Sequence, residues 1–224
     1  MIKAENVRKV YAGEVPFLAL DNISFEIKDG EFVGICGKSG CGKSTLLNLI
    51  GGLDGITSGT IEVQGKNVGT MGDRELSDFR NRTVSFVFQA FYLDPNLTVS
   101  ENVAMPLLIA GVKKKEREKK ALALLERLSL KDKARNKPAK LSGGEMQRAA
   151  IARALITNPA VILADEPTGN LDVKNGREVL RLLKEINESG TTVIMVSHNP
   201  GDLENCTRII ELSDGKIIRD EVCG

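Results

Sequence analysis

The chain has 224 residues, 42% of them hydrophobic, and a formal net charge of +1. That is enough apolar material for a sizeable core and excludes a disordered chain, while the near-neutral charge gives no reason to expect nucleic acid as a partner. The longest apolar runs, such as "AVILA" and "TVIMV", are far too short to span a bilayer.

From the N-terminus, "MIKAENVRKV" alternates apolar and charged residues, which reads as a strand and not as a signal peptide. "NISFEIKDGEFVGIC" places Ile23, Phe25 and Ile27 on one face, turns at Asp29-Gly30 and re-enters a strand, the pattern of a hairpin. "KSTLLNLIGGL" starts as a helix and stops at Gly51-Gly52, and "SGTIEVQGKNV" is a second short alternating pair. From about Ala90 to Asn158 the pattern is mostly helical. In "KKKEREKKALALLERLSL" the apolar side is expected at Leu122, Leu125 and Leu128, and the Lys113–Lys115 run, interleaved with Glu116 and Glu118, reads as a solvated helix start. The last third alternates strand and helix. "AVILADE" and "TTVIMVSH" are strands buried on both faces, "VKNGREVLRLLKEINESG" is an amphipathic helix ending at Gly190, and "RIIELSDGKIIRDE" is a hairpin with an Asp-Gly turn. This order predicts an α/β fold with a mainly parallel sheet, to which the β-rich start and helical middle are additions. The four cysteines lack zinc-type spacing and read as reduced thiols of a cytoplasmic chain.

"GKSGCGKS", Gly37 to Ser44, fits G-x-x-x-x-G-K-[ST] after a strand and before a helix. The loop residues Gly37, Lys38, Ser39, Gly40, Cys41 and Gly42 can bring backbone N–H groups up to phosphate oxygens. Lys43 reaches the β- and γ-phosphates, the Ser44 hydroxyl ligates Mg²⁺, and Thr45 is a further nucleotide-binding candidate. Cys41 reads equally as a reactive thiol and as a small filler. Asp165 and Glu166 end a buried strand, at the sheet edge where ligands bind in open α/β folds; Asp165 suits Mg²⁺, and Glu166 suits polarising a water for attack on the γ-phosphate. The bland alternative there is a helix N-cap with Pro167 as the first helical residue. His198, the single histidine, ends another strand, at the same edge if the two strands are parallel; it suits a γ-phosphate contact, or else caps the turn that follows. Gln89 ends "VSFVF" and suits a neutral ligand to metal or water. A second glycine-rich loop, "LSGGE", comprises Ser142, Gly143, Gly144 and Glu145 before a helix, an anion site whose Ser-x-x-Glu spacing is also a capping box.

The order phosphate loop, Gln89, "LSGGE", "VILADEP", Gly169-Asn170-Leu171-Asp172 and His198 resembles the ATP-binding subunits of ABC transporters over essentially the whole chain. The resemblance implies an ABC ATPase fold in one domain, with a core and antiparallel β subdomain at 1–89 and 159–224 and a helical subdomain at 90–158. It implies ATP and Mg²⁺ as cofactors, Tyr11 stacking on adenine, and an ATP-induced head-to-tail homodimer. Each nucleotide is then completed in trans by Ser142, Gly143, Gly144, Glu145 and Asp172 of the other copy. It further implies a transmembrane permease subunit as partner and a peripheral place on the cytoplasmic face of the membrane. "FVFQAFYLDPNLTVSENVAMPLLIAG" and "DEPTGNLD" resemble the group that drives lipoprotein release, macrolide or peptide-antibiotic export and the cell-division pair, with Phe91-Tyr92-Leu93 where the permease docks. A soluble ABC ATPase acting on DNA or ribosomes is the alternative, but such members carry coiled-coil insertions or paired domains; a P-loop kinase would leave "LSGGE" and His198 without a role.

Overall fold

In the computed structural model, which describes residues 1–223, the chain builds two sheets. β1 (Ile2–Tyr11), β2 (Phe17–Ile27), β4 (Ser58–Val63) and β5 (Lys66–Asn67) form an antiparallel sheet in the order β2-β1-β4-β5. β3 (Phe32–Gly37), β6 (Val84–Phe88), β7 (Val161–Asp165), β8 (Thr192–Val196), β9 (Arg208–Ser213) and β10 (Lys216–Val222) form the second, in the order β10-β9-β3-β8-β7-β6. All its pairings are parallel except β9 with β10, whose turn has positive φ at both Asp214 and Gly215.

The helices are α1 (Lys43–Ile50), α2 (Asp73–Arg82), α3 (Val99–Ile109), α4 (Lys114–Arg127), α5 (Gly143–Leu155) and α6 (Val173–Glu188). Alternation in the parallel strands feeds two cores. Val33, Ile35, Val161, Leu163, Ile194 and Val196 face α1 and the antiparallel sheet, while Phe32, Ile162, Ala164, Val193 and Met195 face α3 to α6. None of the helices among the described residues is long and apolar enough to cross a membrane.

Two expectations are corrected. β2 and β3 are not a hairpin: Asp29-Gly30 carries the chain from one sheet to the other. Ile23, Phe25 and Ile27 pair with the matching alternation of β1, through Val7, Ala4 and Ile2, and both edges of β3 are taken by β8 and β9. In α4 the buried seam runs through Ala121 and Leu125 to Leu128; Leu122 lies one position round the helix and is exposed. The lysines at 113 to 115 are exposed, as a solvated helix start requires.

The C-terminal end of α1 is locked under β6. Gly51 has φ −83° and ψ 0°, open to any residue, but a methyl group there would lie 2.0 Å from the Phe86 ring and 2.9 Å from Leu163. The Phe86 ring is itself stacked on Phe88 at 5.1 Å. Gly51→Ala is expected to cost about 2 kcal/mol by overpacking. The check is the denaturant midpoint, with the m-value unchanged.

Candidate active site

β3 ends at Gly37 and hands the chain to α1 through the loop 37–42. Gly42, the N-cap, has φ 103°, and a side chain there would drive into the Ala19 carbonyl at 2.6 Å. No side chain caps α1 and no acidic residue occupies its first turn, so the first N–H groups of the helix are left for an anion. Lys43 is buried, and its Nζ donates to Gly37 O (2.8 Å) and Lys38 O (2.9 Å), which folds the ammonium into the loop. Lys38, Ser39 and Gly40 are exposed, and Thr45 is half-buried. Cys41 is 5% exposed with Sγ 3.9 Å from Lys43 Nζ, which favours the filler over the reactive thiol.

Ser44 Oγ donates to Asp165 Oδ1 at 3.1 Å, joining the helix start to the end of β7. Burial pushes the Asp165 carboxyl up and the Glu166 charge adds to this, while Ser44 and Lys43 pull it down. Ser44 and Asp165 thus pair two hard oxygen donors, the chemistry that suits Mg²⁺. β7 and β8 run parallel with Asp165 opposite Val196, and the Glu166 N–H donates to Val196 O (3.0 Å). This register brings His198 Nδ1 to 3.1 Å from Glu166 Oε1. No helix begins at Pro167; the next one starts at Val173, capped by Asp172. The turn after His198 is capped by Asn199, not by the histidine.

Gln89 is exposed at the end of β6, beside β7. Its amide donates to Asn170 Oδ1 (3.4 Å) rather than meeting Ser44 or Asp165, and Asn170 Nδ2 donates to Gln89 O (3.0 Å). Tyr11 ends β1 with a partly exposed ring. Its hydroxyl donates to Asp54 Oδ2 (2.8 Å), and the Lys9 ammonium, itself bonded to Asp54, lies 4.6 Å from the ring centre. Burial and the Asp54 bond raise the Tyr11 phenol.

The second glycine loop opens α5. Ser142 Oγ accepts from the Glu145 N–H (3.3 Å), and Glu145 Oε2 accepts from the Ser142 N–H (2.8 Å), a complete capping box. Gly144 has no room for a side chain, since a methyl would fall 2.1 Å from Asn175 Oδ1, and Asn175 is held by Asp172 through both carboxylate oxygens. No hydrogen bond or ion pair among the described residues joins 142–145 to 37–45.

Sequence reasoning missed Gln147. It is fully buried, and its Nε2 donates to Pro167 O (2.7 Å) and Phe88 O (3.3 Å), carbonyls beside Glu166 and Gln89. Its signal was a polar amide on the buried face formed by Gly144, Ile151 and Ala154. Tyr92 is exposed but Phe91 and Leu93 are half-buried, and the half-buried Arg153 guanidinium holds the carbonyls of Phe91 and Tyr92.

With this geometry in place, the family model described as "ABC transporter" matches residues 20–169. The chain belongs to the ABC transporter family. It is an ATP-binding subunit of the ABC transporter type, an ATPase. An ABC transporter ATP-binding protein of Thermotoga maritima is 49% identical over 213 residues, 95% of this chain and 91% of that one. The lipoprotein-releasing system ATP-binding protein LolD of Aquifex aeolicus is 47% identical over 218 residues, 97% of this chain and 96% of that one. The macrolide export ATP-binding/permease protein MacB of Burkholderia pseudomallei is 47% identical over 215 residues, 96% of this chain but 33% of that protein. The solved dimer of the ATP-binding cassette MJ0796, in a post-hydrolysis state bound to ADP and Pi, superposes with a TM-score of 0.91 at 45% identity, covering 99% of this chain and 98% of that one. These relatives favour the transporter ATPase over a soluble one.

The capping box makes a pH prediction. The Ser142 N–H bond, with smaller help from the Ser142 hydroxyl and Lys133, outweighs burial and holds the Glu145 carboxyl below its ordinary value. Ionised Glu145 therefore adds stability above its unfolded pKa, and this fades as pH falls through the lower folded value. Glu145→Gln is expected to cost about 0.5 kcal/mol at neutral pH, through lost charge at the helix N-terminus. The gap from the wild type should narrow as pH falls below the ordinary carboxylate value and close only below the lowered folded one, where the carboxyl is protonated in both states. Urea unfolding of both proteins along a descending pH series checks this.

Proposed function

We propose that this chain binds Mg²⁺-ATP on the 37–45 loop and hydrolyses it at the interface of a head-to-tail homodimer. That dimer drives a permease subunit from the cytoplasmic face of the membrane. The observation that carries the reading is the Glu166–His198 pair at 3.1 Å, delivered to the sheet edge where Ser44 meets Asp165.

The first-turn N–H groups of α1 take the phosphates. Lys43 gives two donors to Gly37 and Lys38, and the third, which meets only the weak Cys41 Sγ acceptor at 3.9 Å, can turn to a phosphate oxygen. Ser44 and Asp165 would hold Mg²⁺, with Gln89 joining once released from Asn170, and the ion would supply neutralising charge for the phosphates. Glu166 accepts a proton from the attacking water, and His198 orients it and reaches the γ-phosphate. Tyr11, tethered through Asp54, offers its ring to adenine. In the partner copy, Ser142, Gly143, Gly144, Glu145 and Asp172 close over the γ-phosphate. Ser142 accepts in its cap through an oxygen lone pair, so donating its own proton to an anion need not break that cap.

The 47% identity to the lipoprotein-releasing and macrolide-export proteins supports a cargo of that kind, lipoprotein, macrolide or peptide. The exposed Tyr92, on a backbone pinned by Arg153, supports permease docking beside Gln89.

Glu166→Gln is expected to lower kcat for ATP at least about 100-fold, the range of a lost general base, while ATP still binds. The ATP-bound dimer should then accumulate in sedimentation; near-normal turnover would remove Glu166 from this role. Lys43→Ala is expected to weaken ATP binding by about tenfold or more, the worth of a charged hydrogen bond. Titration calorimetry with ATP measures it, and unchanged affinity counts against the phosphate contact.

A further inference from the structure

Glu166 sits in the left-handed region, φ 45°, a conformation uncommon for a residue with a side chain and kept only where its surroundings enforce it. The Glu166 side chain is 25% exposed, but the His198 side chain that meets it is 66% exposed and adds little packing to hold it there. On one side Glu166 is anchored by β7 and by its N–H bond to Val196. On the other, the turn closes with the Gly169 N–H donating to Glu166 O (3.0 Å), and Thr168 then reaches across to the neighbouring loop, its Oγ1 donating to Asp202 Oδ2 at 2.6 Å.

Asp202 is 4% exposed and in no ion pair among the described residues. Its Oδ2 also accepts from Ser197 Oγ (2.8 Å), and its Oδ1 accepts from Asn199 Nδ2 (3.1 Å). Ser197 and Asn199 are the two neighbours of His198. One buried carboxylate therefore grips the turn that follows Glu166 and both flanks of His198, using three neutral donors. An apolar side chain would fill such a place at lower cost in desolvation, but only an acceptor with several lone pairs satisfies all three donors at once.

We propose that Asp202 is a positioning residue for hydrolysis. It clamps the Glu166 turn to the His198 loop, so that the carboxylate and imidazole stay within contact when the site closes. Thr168 and Ser197 are its grips, and Asp202 itself touches neither nucleotide nor water. The proposal rests on the reading of Glu166 as the base.

The test measures kcat and KM for ATP, with a melting curve for each protein, in Thr168→Val, Thr168→Ser, Asp202→Asn and Glu166→Gln. Thr168→Val keeps shape and removes one grip. It is expected to lower kcat about tenfold, the scale of a small misplacement of a reacting group, with KM within about twofold of wild type. Thr168→Ser, which restores the hydroxyl, should recover turnover. Asp202→Asn should lower kcat no more than Thr168→Val, since the two hydroxyls can turn to accept from its amide while its oxygen accepts from Asn199; if it does not fold, the valine and serine pair decides alone. Added to Glu166→Gln, Thr168→Val should cause no further loss of residual turnover, because the clamp acts through Glu166. The clamp is overturned if folded Thr168→Val turns over within about twofold of wild type while Glu166→Gln is inactive. It is equally overturned if Thr168→Val lowers the residual activity of Glu166→Gln by its full factor. Full turnover in Glu166→Gln alone would instead overturn the role of Glu166, so the two failures are distinguishable.

Discussion

The parallel pairing of β6, β7 and β8, in register from Val84 opposite Val161 to Asp165 opposite Val196, is the constraint on which the rest of the site depends. Parallel strands end together, so one sheet edge receives Gln89, Asp165, Glu166 and His198 with no long loop to position them. The pairing is possible because these strands are apolar on both faces and each face has its own core. β3, next to β8, brings the phosphate loop to the same edge. Chemistry here is a consequence of strand register: a slip of one residue would turn Asp165 and the buried side chains behind it to the opposite faces.

Gathering charge at that edge costs free energy, and the fold offsets it locally. Asp165 and Glu166 are adjacent carboxylates, and burial already raises Asp165. Ser44 donates to the first, His198 meets the second, and Lys43 is buried beside them with two carbonyls satisfying its ammonium. The left-handed backbone at Glu166 belongs to the same pattern, since strain at a working residue is sustained by bonds around it. Those bonds come from both adjacent strands, which makes the Glu166 turn a shared property of β7 and β8.

Local rules make much of this legible in the sequence. The phosphate loop follows from glycine spacing, the buried strands from unbroken apolar runs, and the Ser142–Glu145 box from a three-residue interval, because each is decided within a few residues. Long-range pairing is not legible in the same way. The alternation of β2 is equally compatible with β1 and with β3, and only competition for the edges of β3 decides between them. Leu122 falls outside the seam of α4 because that seam is set by the helices it packs against. Gln147, Asp202 and Asp54 carry no motif, and the motif that holds Asn170 does not name Gln89 as its partner; their importance lies in distant partners, 20 to 81 residues away for Pro167 with Gln147, Thr168 with Asp202 and Gln89 with Asn170. A polar side chain on a buried helical face is the available clue for Gln147, and it names a buried amide without naming what it holds.

The second glycine loop shows how one chain can serve two nucleotides on the proposed reading. Its cap is complete within the single chain, and Gly144 is pressed by Asn175, which Asp172 holds, so the loop and the 169–172 turn form one surface already in place. A surface that needs no ordering on contact gives up little conformational entropy when a second copy arrives. The helix behind that surface, α5, is also bonded by Gln147 to the carbonyls beside Gln89 and Glu166 of its own site. On that reading, the element facing the partner's nucleotide is bonded directly to the segments that handle its own. Gln147 and Ser142 lie on one helix five residues apart, so on the proposed reading the Glu166 turn and the partner-facing loop are tied to the same element. Two sites that share no direct bond are joined in this way through the buried Gln147 amide and through the 169–172 turn, which meets Gln89 on one side and the glycine loop on the other.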